Sequence, residues 1–182
     1  MTKQDAIALF HSMHPNFFGQ ESIKRLSEEQ SYAEMLLRLE EFDVNMYNKE
    51  LEKEIIFEFF EEEHHKLLKA VEQVDPDWVE FFAEEDRVLC GFYKDQIASF
   101  CIVAPMGTHE VNGQVFKIGG PGCVGTLPKY RNKGIGLMMV KKATQILKDE
   151  GYDYSYIHYT GVEPWYEKLG YETILKWTKN GF

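Results

Sequence analysis

Apolar positions recur along the chain with two periods, and the switch between them divides it. Near the start, Ala6, Ile7, Phe10 and Met13 lie near helical spacing until His14-Pro15 breaks the run. A second stripe, Tyr32, Met35, Leu36, Leu39 and Phe42, follows the i, i+3, i+4, i+7 rule, with Ser31 as N-cap and Glu34 completing a capping box. The first fifty residues therefore predict mostly helix. From Glu54 the pattern changes. Residues 55–60 form a short apolar strand and 61–74 a helix burying Leu67, Leu68 and Val71, and Asp75-Pro76-Asp77 starts a short helix reaching Phe82. Residues 87–93 and 96–103 read as a hairpin about Lys94-Asp95.

Val111-Asn112-Gly113-Gln114 marks another turn, and 115–127 a long strand interrupted by Gly119-Gly120-Pro121-Gly122. Glycine and proline inside a strand indicate a bulge or close approach by another backbone. Residues 134–149 form a helix with Leu137, Val140, Ala143, Thr144 and Leu147 on one face and Gly151 as its stop. A strand at 154–159, a short helix at 163–169 and a strand at 172–177 complete the pattern. Hairpins followed by a strand–helix–strand crossover predict an α/β (α+β) fold, one mixed sheet with helices on both faces. The expected organisation is a helical N-terminal extension, 1–53, packed on a core of 54–182.

Composition narrows the class. A chain of 182 residues, 44% hydrophobic and 14% aromatic, can bury a full core and is no disordered segment. No apolar run approaches a membrane span, and the start lacks a secretory pattern. Three cysteines, Cys90, Cys101 and Cys123, close no disulfide framework, so reduced thiols and a cytoplasmic location are expected. The formal charge of −10 argues against a nucleic-acid partner. Its distribution is uneven: residues 1–86 hold 22 acids and 8 Lys/Arg, residues 87–182 hold 8 and 12, and no acid lies between Glu110 and Asp149. That basic island suggests an anion site.

The island coincides with the stretch GCVGTLPKYRNKGIGLMMVKKATQIL, residues 122–147. A strand runs into a loop carrying Arg131, Lys133, Gly134 and Gly136, and a helix begins there. Free N–H groups and the positive end of the helix dipole bind anions, and glycines let phosphate oxygens reach the backbone. The physical reading is a diphosphate cradle. A dinucleotide fingerprint fails because Met139 occupies its third glycine position, and a P-loop fails because Thr126 stands where lysine is required.

Arg131-x-x-Gly134-x-Gly136, with its lead-in Pro128-Lys129-Tyr130, resembles the coenzyme A signature Q/R-x-x-G-x-G/A of the GNAT superfamily of N-acetyltransferases. Trp165-Tyr166-Glu167-Lys168-Leu169-Gly170-Tyr171 resembles that family's Y-E-K-L-G-F/Y segment. The resemblance covers about residues 54–177. It implies a central, mostly antiparallel sheet splayed at the site of acetyl-CoA, the co-substrate. Backbone amides of Arg131, Asn132, Lys133, Gly134, Ile135 and Gly136 would hold the pyrophosphate, Val124, Gly125 and Thr126 would pair with the pantetheine arm, and Tyr166 would protonate the departing thiolate. Tyr159 and Val162 stand where the family often has Asn and Ala. Little chain remains for the usual final strand, so either the sheet is shorter or a partner, such as a second copy in a homodimer, completes it.

His158 shares a strand face with Tyr154 and Tyr156 and is either a general base or a hydrogen-bonded core histidine. Glu163 is a base or a helix-start residue. Cys123 reads as packing. His64-His65 diverge on a helix and match no ligand spacing, so no metal is expected. These readings point to an N-acetyltransferase acting by direct attack of an amine. The alternatives are an acyl-CoA-binding or sensing module without chemistry and a structural protein docking an acidic partner. The acceptor is a small-molecule or peptide amine, cationic if the acidic half surrounds its entrance, with no nucleic-acid or membrane partner.

Overall fold

The computed structural model describes residues 1–182. In chain order the elements are α1 (Lys3–Met13), α2 (Glu21–Lys24), β1 (Tyr32–Arg38), β2 (Ile55–Phe59), α3 (His64–Glu72), β3 (Val88–Tyr93), β4 (Gln96–Val111), β5 (Gln114–Thr126), α4 (Ile135–Asp149), β6 (Tyr154–Thr160), α5 (Glu163–Tyr166) and β7 (Glu172–Trp177). The strands form one sheet in the order β2-β3-β4-β5-β6-β1-β7. All neighbours are antiparallel except β5 and β6. No helix is long and apolar enough to cross a membrane.

The helical reading of 32–42 is corrected. This stretch is β1, followed by a 3-10 turn at Leu39–Glu41, and Glu34 is no capping residue. The physical reason is burial on both faces. Ala33, Met35 and Leu37 pack with α4, whereas Leu36 packs with α1, so the apolar run is nearly continuous. A strand of that kind shows no alternation and is easily mistaken for a helical stripe.

β1 lies antiparallel between β6 and β7, so a strand from the start of this same chain is part of that end of the sheet.

The hairpins fall where expected, with Lys94, Asp95, Asn112 and Gly113 at positive φ in the turns. The glycine run in β5 stays in register with β4, and the bulge comes one residue later, at Cys123 (φ 47°). A side chain on Gly120 would collide with the carbonyl oxygen of Tyr156 on β6, which is the predicted close approach of two backbones. β5 and β6 are paired only at Ile118–Tyr154 and Gly119–Ser155, and beyond this point they diverge.

The faces of the sheet are covered differently. Leu137, Val140, Ala143 and Leu147 of α4 join Met35, Cys101, Val103 and Ile157 in the largest cluster. The opposite face carries α3 over β3 and β4, and α1 with its aromatic followers over β6, β1 and β7.

Candidate active site

The end of β5, the 3-10 turn Pro128–Tyr130 and the start of α4 enclose a cleft of about 400 Å³. Gly134, at φ 87°, is the N-cap of α4 and supplies no side-chain cap. The first helical N–H to find an acceptor within the helix is that of Met138, bonded to Gly134 O at 3.1 Å, so the amides of Ile135, Gly136 and Leu137 are left without one. These three residues line the cleft. Free N–H groups at the positive end of a 15-residue helix are suited to bind a diphosphate.

Of the residues singled out in sequence, Thr126, Arg131, Asn132, Gly134, Ile135 and Gly136 line this cleft together. Val124 and Gly125 lie just before it on β5, with the Phe100 ring filling the space a Gly125 side chain would take. Lys133 does not line it and pairs with Glu52 at 3.6 Å. Arg131 turns back on the strand, its Nε donating to Thr126 O at 3.0 Å.

The lining also takes in Tyr130 from the lead-in, Trp165 and Lys168 from the second motif, and two residues that neither motif contains, Tyr47 and Lys49. Lys49 lays its side chain across Gly134, where a Cβ would collide with it. It arrives on a segment strapped along α4 by two other lysines. Lys141 Nζ donates to Tyr47 O at 2.7 Å and Asn48 Oδ1 at 2.6 Å, and Lys148 Nζ to Phe42 O at 3.0 Å. Part of the basic island thus serves packing, and Lys141 is only 8% exposed. Nothing local in the sequence marks Lys49, because the strap belongs to the acidic half of the chain.

Tyr166 stands at the end of α5, buried in the same core cluster as Leu137 and Val140, with Tyr171 beside it and Trp165 edge-on at 4.8 Å. Burial raises its phenol above the ordinary tyrosine range, so it is protonated at neutral pH. It does not line the cleft; its neighbour Trp165 does. Burial also pushes the Cys123 thiol up to about 11, which disfavours a nucleophilic thiolate.

Glu163 accepts from Lys176 Nζ at 2.8 Å, and this bond holds its carboxyl below the usual range. A carboxylate so held is a poor base.

His158 shares a face of β6 with Tyr154 and Tyr156, as its strand period predicts, and that face is the one α1 covers. Its ring stacks on His14 at 3.9 Å and 16°, and its Nδ1 meets the Glu34 carboxylate at 2.9 Å. The ligand atoms of His14, Glu34 and His158 lie within 4.8 Å of one another. The rings are nearly parallel, however, and an ion in the plane of one would lie well outside the plane of the other. As placed, the lone pairs do not converge on a shared ligation point.

Comparison with known proteins agrees with this geometry. The model of the acetyltransferase (GNAT) domain matches residues 54–174. No curated protein sequence matches the chain. Among solved structures, the GCN5-related glucosamine N-acetyltransferase region of a fungal multi-domain GH3 β-N-acetylglucosaminidase superposes with TM-score 0.66 at 21% identity, over 81% of this chain and 20% of that one. A GCN5-related N-acetyltransferase from Sphaerobacter thermophilus gives 0.59 at 16%, over 94% and 53%. One from Kribbella flavida gives 0.56 at 14%, over 82% and 57%. The chain thus spans between a fifth and somewhat over half of these proteins, and at such identities the likeness is one of fold. With its family model matched across more than half its length, and with its strand–loop–helix cradle in the matched region, the chain belongs to the GNAT acetyltransferase family.

Proposed function

We propose that the protein is an acetyl-CoA-dependent N-acetyltransferase that transfers an acetyl group to a primary amine by direct attack in a ternary complex. The observation that carries this reading is the turn of unpaired amides, Ile135 to Leu137, opening on a cleft beside the diverging strands. The backbone from Asn132 to Gly136 holds the pyrophosphate, the Arg131 amide being engaged with Pro128 O at 3.3 Å, and Lys49 and Lys168 add positive charge at the walls. The main chain of Val124, Gly125 and Thr126 offers its edge to the pantetheine arm where β6 has turned away. Acetyl-CoA supplies the activated acyl group, and the chain's contribution is to hold both reactants in one orientation.

Tyr166 gives its proton to the departing thiolate, and His158 serves as base. Glu163 was the other choice for that role, and its ion pair with Lys176 speaks against it. The acceptor is an amine, cationic before it reacts, drawn toward a half of the chain with an acidic excess. The test is release of free thiol from acetyl-CoA with a panel of amines, glucosamine and polyamines among them. Failure to bind coenzyme A in calorimetry overturns the reading.

One observation favours a second reading, an acyl-CoA-binding module without chemistry: the Tyr166 ring is packed in the core and does not line the cleft. Tyr166→Phe separates the two. An enzyme loses turnover and keeps its affinity for coenzyme A, whereas a sensor has no turnover to lose.

A further inference from the structure

Glu34 is fully buried in the sheet, yet every partner of its carboxylate is a donor. Trp177 Nε1 donates at 2.6 Å, the Tyr159 amide at 3.3 Å, and His158 Nδ1 lies 2.9 Å from one oxygen and 3.1 Å from the other. A buried carboxylate is costly unless charge and hydrogen bonds compensate it, and packing alone would be better served by an apolar residue. The backbone makes room for it twice. Opposite Glu34, β6 carries an extra residue between Ile157 and Thr160, and β7 carries one between Thr173 and Leu175. The β6 bulge holds Tyr159 at φ 57°, a strained value for an aromatic residue and of a kind found at functional sites.

The bulge falls three residues beyond Ser155, the last residue of β6 paired with β5, and so on the stretch of β6 that diverges from β5. His158 keeps 27% of its side chain exposed there. Because a carboxylate only accepts, the proton on the neutral imidazole resides on Nδ1, and the lone pair is on Nε2. His14 Nε2 and the Tyr156 hydroxyl, both buried without partners, leave hydrogen-bonding capacity beside the pair.

We propose that Glu34 is a positioning residue: through the β6 bulge it holds His158 in the Nδ1–H form, so that Nε2 collects the proton of the acceptor ammonium where β5 and β6 part. This rests on the acetyltransferase reading. His158 takes one proton from the ammonium and passes it to solvent. The freed amine forms the C–N bond as the C–S bond breaks. The second proton leaves nitrogen for solvent by way of His158, and Tyr166 regains from solvent the proton it gave to the thiolate, so each turnover releases one proton. The ionisable groups facing His158 are Glu34 from β1, His14 at the end of α1, and Tyr156 and Tyr159 on its own strand, with His109 of β4 acting on His14.

The test uses the full chain with Glu34→Gln, Glu34→Asp, His158→Asn and the Glu34→Gln/His158→Asn pair. His158→Asn is expected to lower kcat about 100-fold, the scale of a lost general base. Glu34→Gln is expected to lower kcat about tenfold with an unchanged KM for acetyl-CoA, because a neutral amide cannot stabilise the imidazolium as the carboxylate does. Its acid limb moves to lower pH for the same reason. Glu34→Asp recovers part of the loss, and Glu34→Gln adds nothing once His158 is gone. Wild-type kcat and pH profile in Glu34→Gln, or additive effects in the double variant, overturn the proposal. Ring ¹⁵N NMR of the wild-type protein at pH 8 gives a readout without turnover or variants: Nδ1–H is expected, and Nε2–H overturns the proposal even if Glu34→Gln fails to fold. Wild-type protein that binds acetyl-CoA but releases no thiol with any amine removes the base role, whereas absence of acetyl-CoA binding removes the parent reading instead.

Discussion

The diphosphate cradle and the Glu34–His158 pair lie on either side of the divergence of β5 and β6, and they are built in opposite ways. Most of the cradle comes from one short stretch, 126–137, and its free donors, Ile135 to Leu137, are main-chain amides of the kind any non-proline residue supplies. Its specificity lies in where side chains are missing. The pair joins β1 to β6 across 124 positions, with Trp177 of β7 as a third member, and there the side chains are everything. A site made of backbone tolerates most substitutions that spare its glycines, and a site made of buried polar side chains tolerates almost none.

That contrast can be broken at its hinge first. At Gly120 the two backbones still approach closely, and the obstacle to a side chain is the Tyr156 carbonyl oxygen, which cannot rotate away. Gly120→Ala is expected to cost about 3 kcal/mol of stability in urea unfolding. A loss below ~1 kcal/mol would mean the strands can part without consequence.

The cradle comes next. A Cβ on Gly136 would lie 2.5 Å from Thr126 Oγ1, and a valine there would crowd the free amides that face the cleft. Gly136→Val should weaken coenzyme A binding about 100-fold in calorimetry, a loss of about 2.7 kcal/mol. Arg131→Ala should cost only a few-fold, since its Nε is already engaged with Thr126 O. The reverse order of effects would show that side-chain charge, and not backbone, does the holding.

On the other side, Trp177→Phe keeps the aromatic packing and removes one donor to a buried carboxylate. A loss of about 2 kcal/mol in stability is expected. An unchanged unfolding midpoint would place the indole bond among the dispensable ones.

The smallest effect concerns pH. Burial pushes His14 down to about 4, with the neighbouring His158 acting in the same direction and Glu34 against it. The unfolded chain, with an ordinary histidine near 6.5, binds the proton more readily than the folded one. Stability from this residue is therefore complete above about 6.5 and declines as pH falls toward 4, by less than the full shift implies because His14 is partly exposed. Urea midpoints across this range should slope less in His14→Gln. Equal slopes would show that His14 protonates as easily folded as unfolded.

How legible each region was follows from the same difference. Gly134, Gly136 and Arg131 stand within six positions, and a glycine-rich loop between a strand and a helix announces its chemistry locally. The lysine across Gly134 had no such marker, because Lys49 reaches the cleft only by way of the strap tied down by Lys141 and Lys148. Spacing alone makes Glu34 a capping residue on a helix. Its segment is apolar on both faces, and period alone does not separate a doubly buried strand from a helix.

The sequence by itself determined the hairpins, the succession of β5, glycine-rich loop and α4, and the family resemblance, since each is carried by residues close together in the chain. Only the tertiary structure decided that residues 32–38 enter the sheet between β6 and β7, and that Glu34 meets His158 and Trp177 there. The physical reason is that strand pairing and side-chain burial are long-range choices. They are made by which faces remain uncovered once the local elements have formed, and no window of the sequence contains both partners.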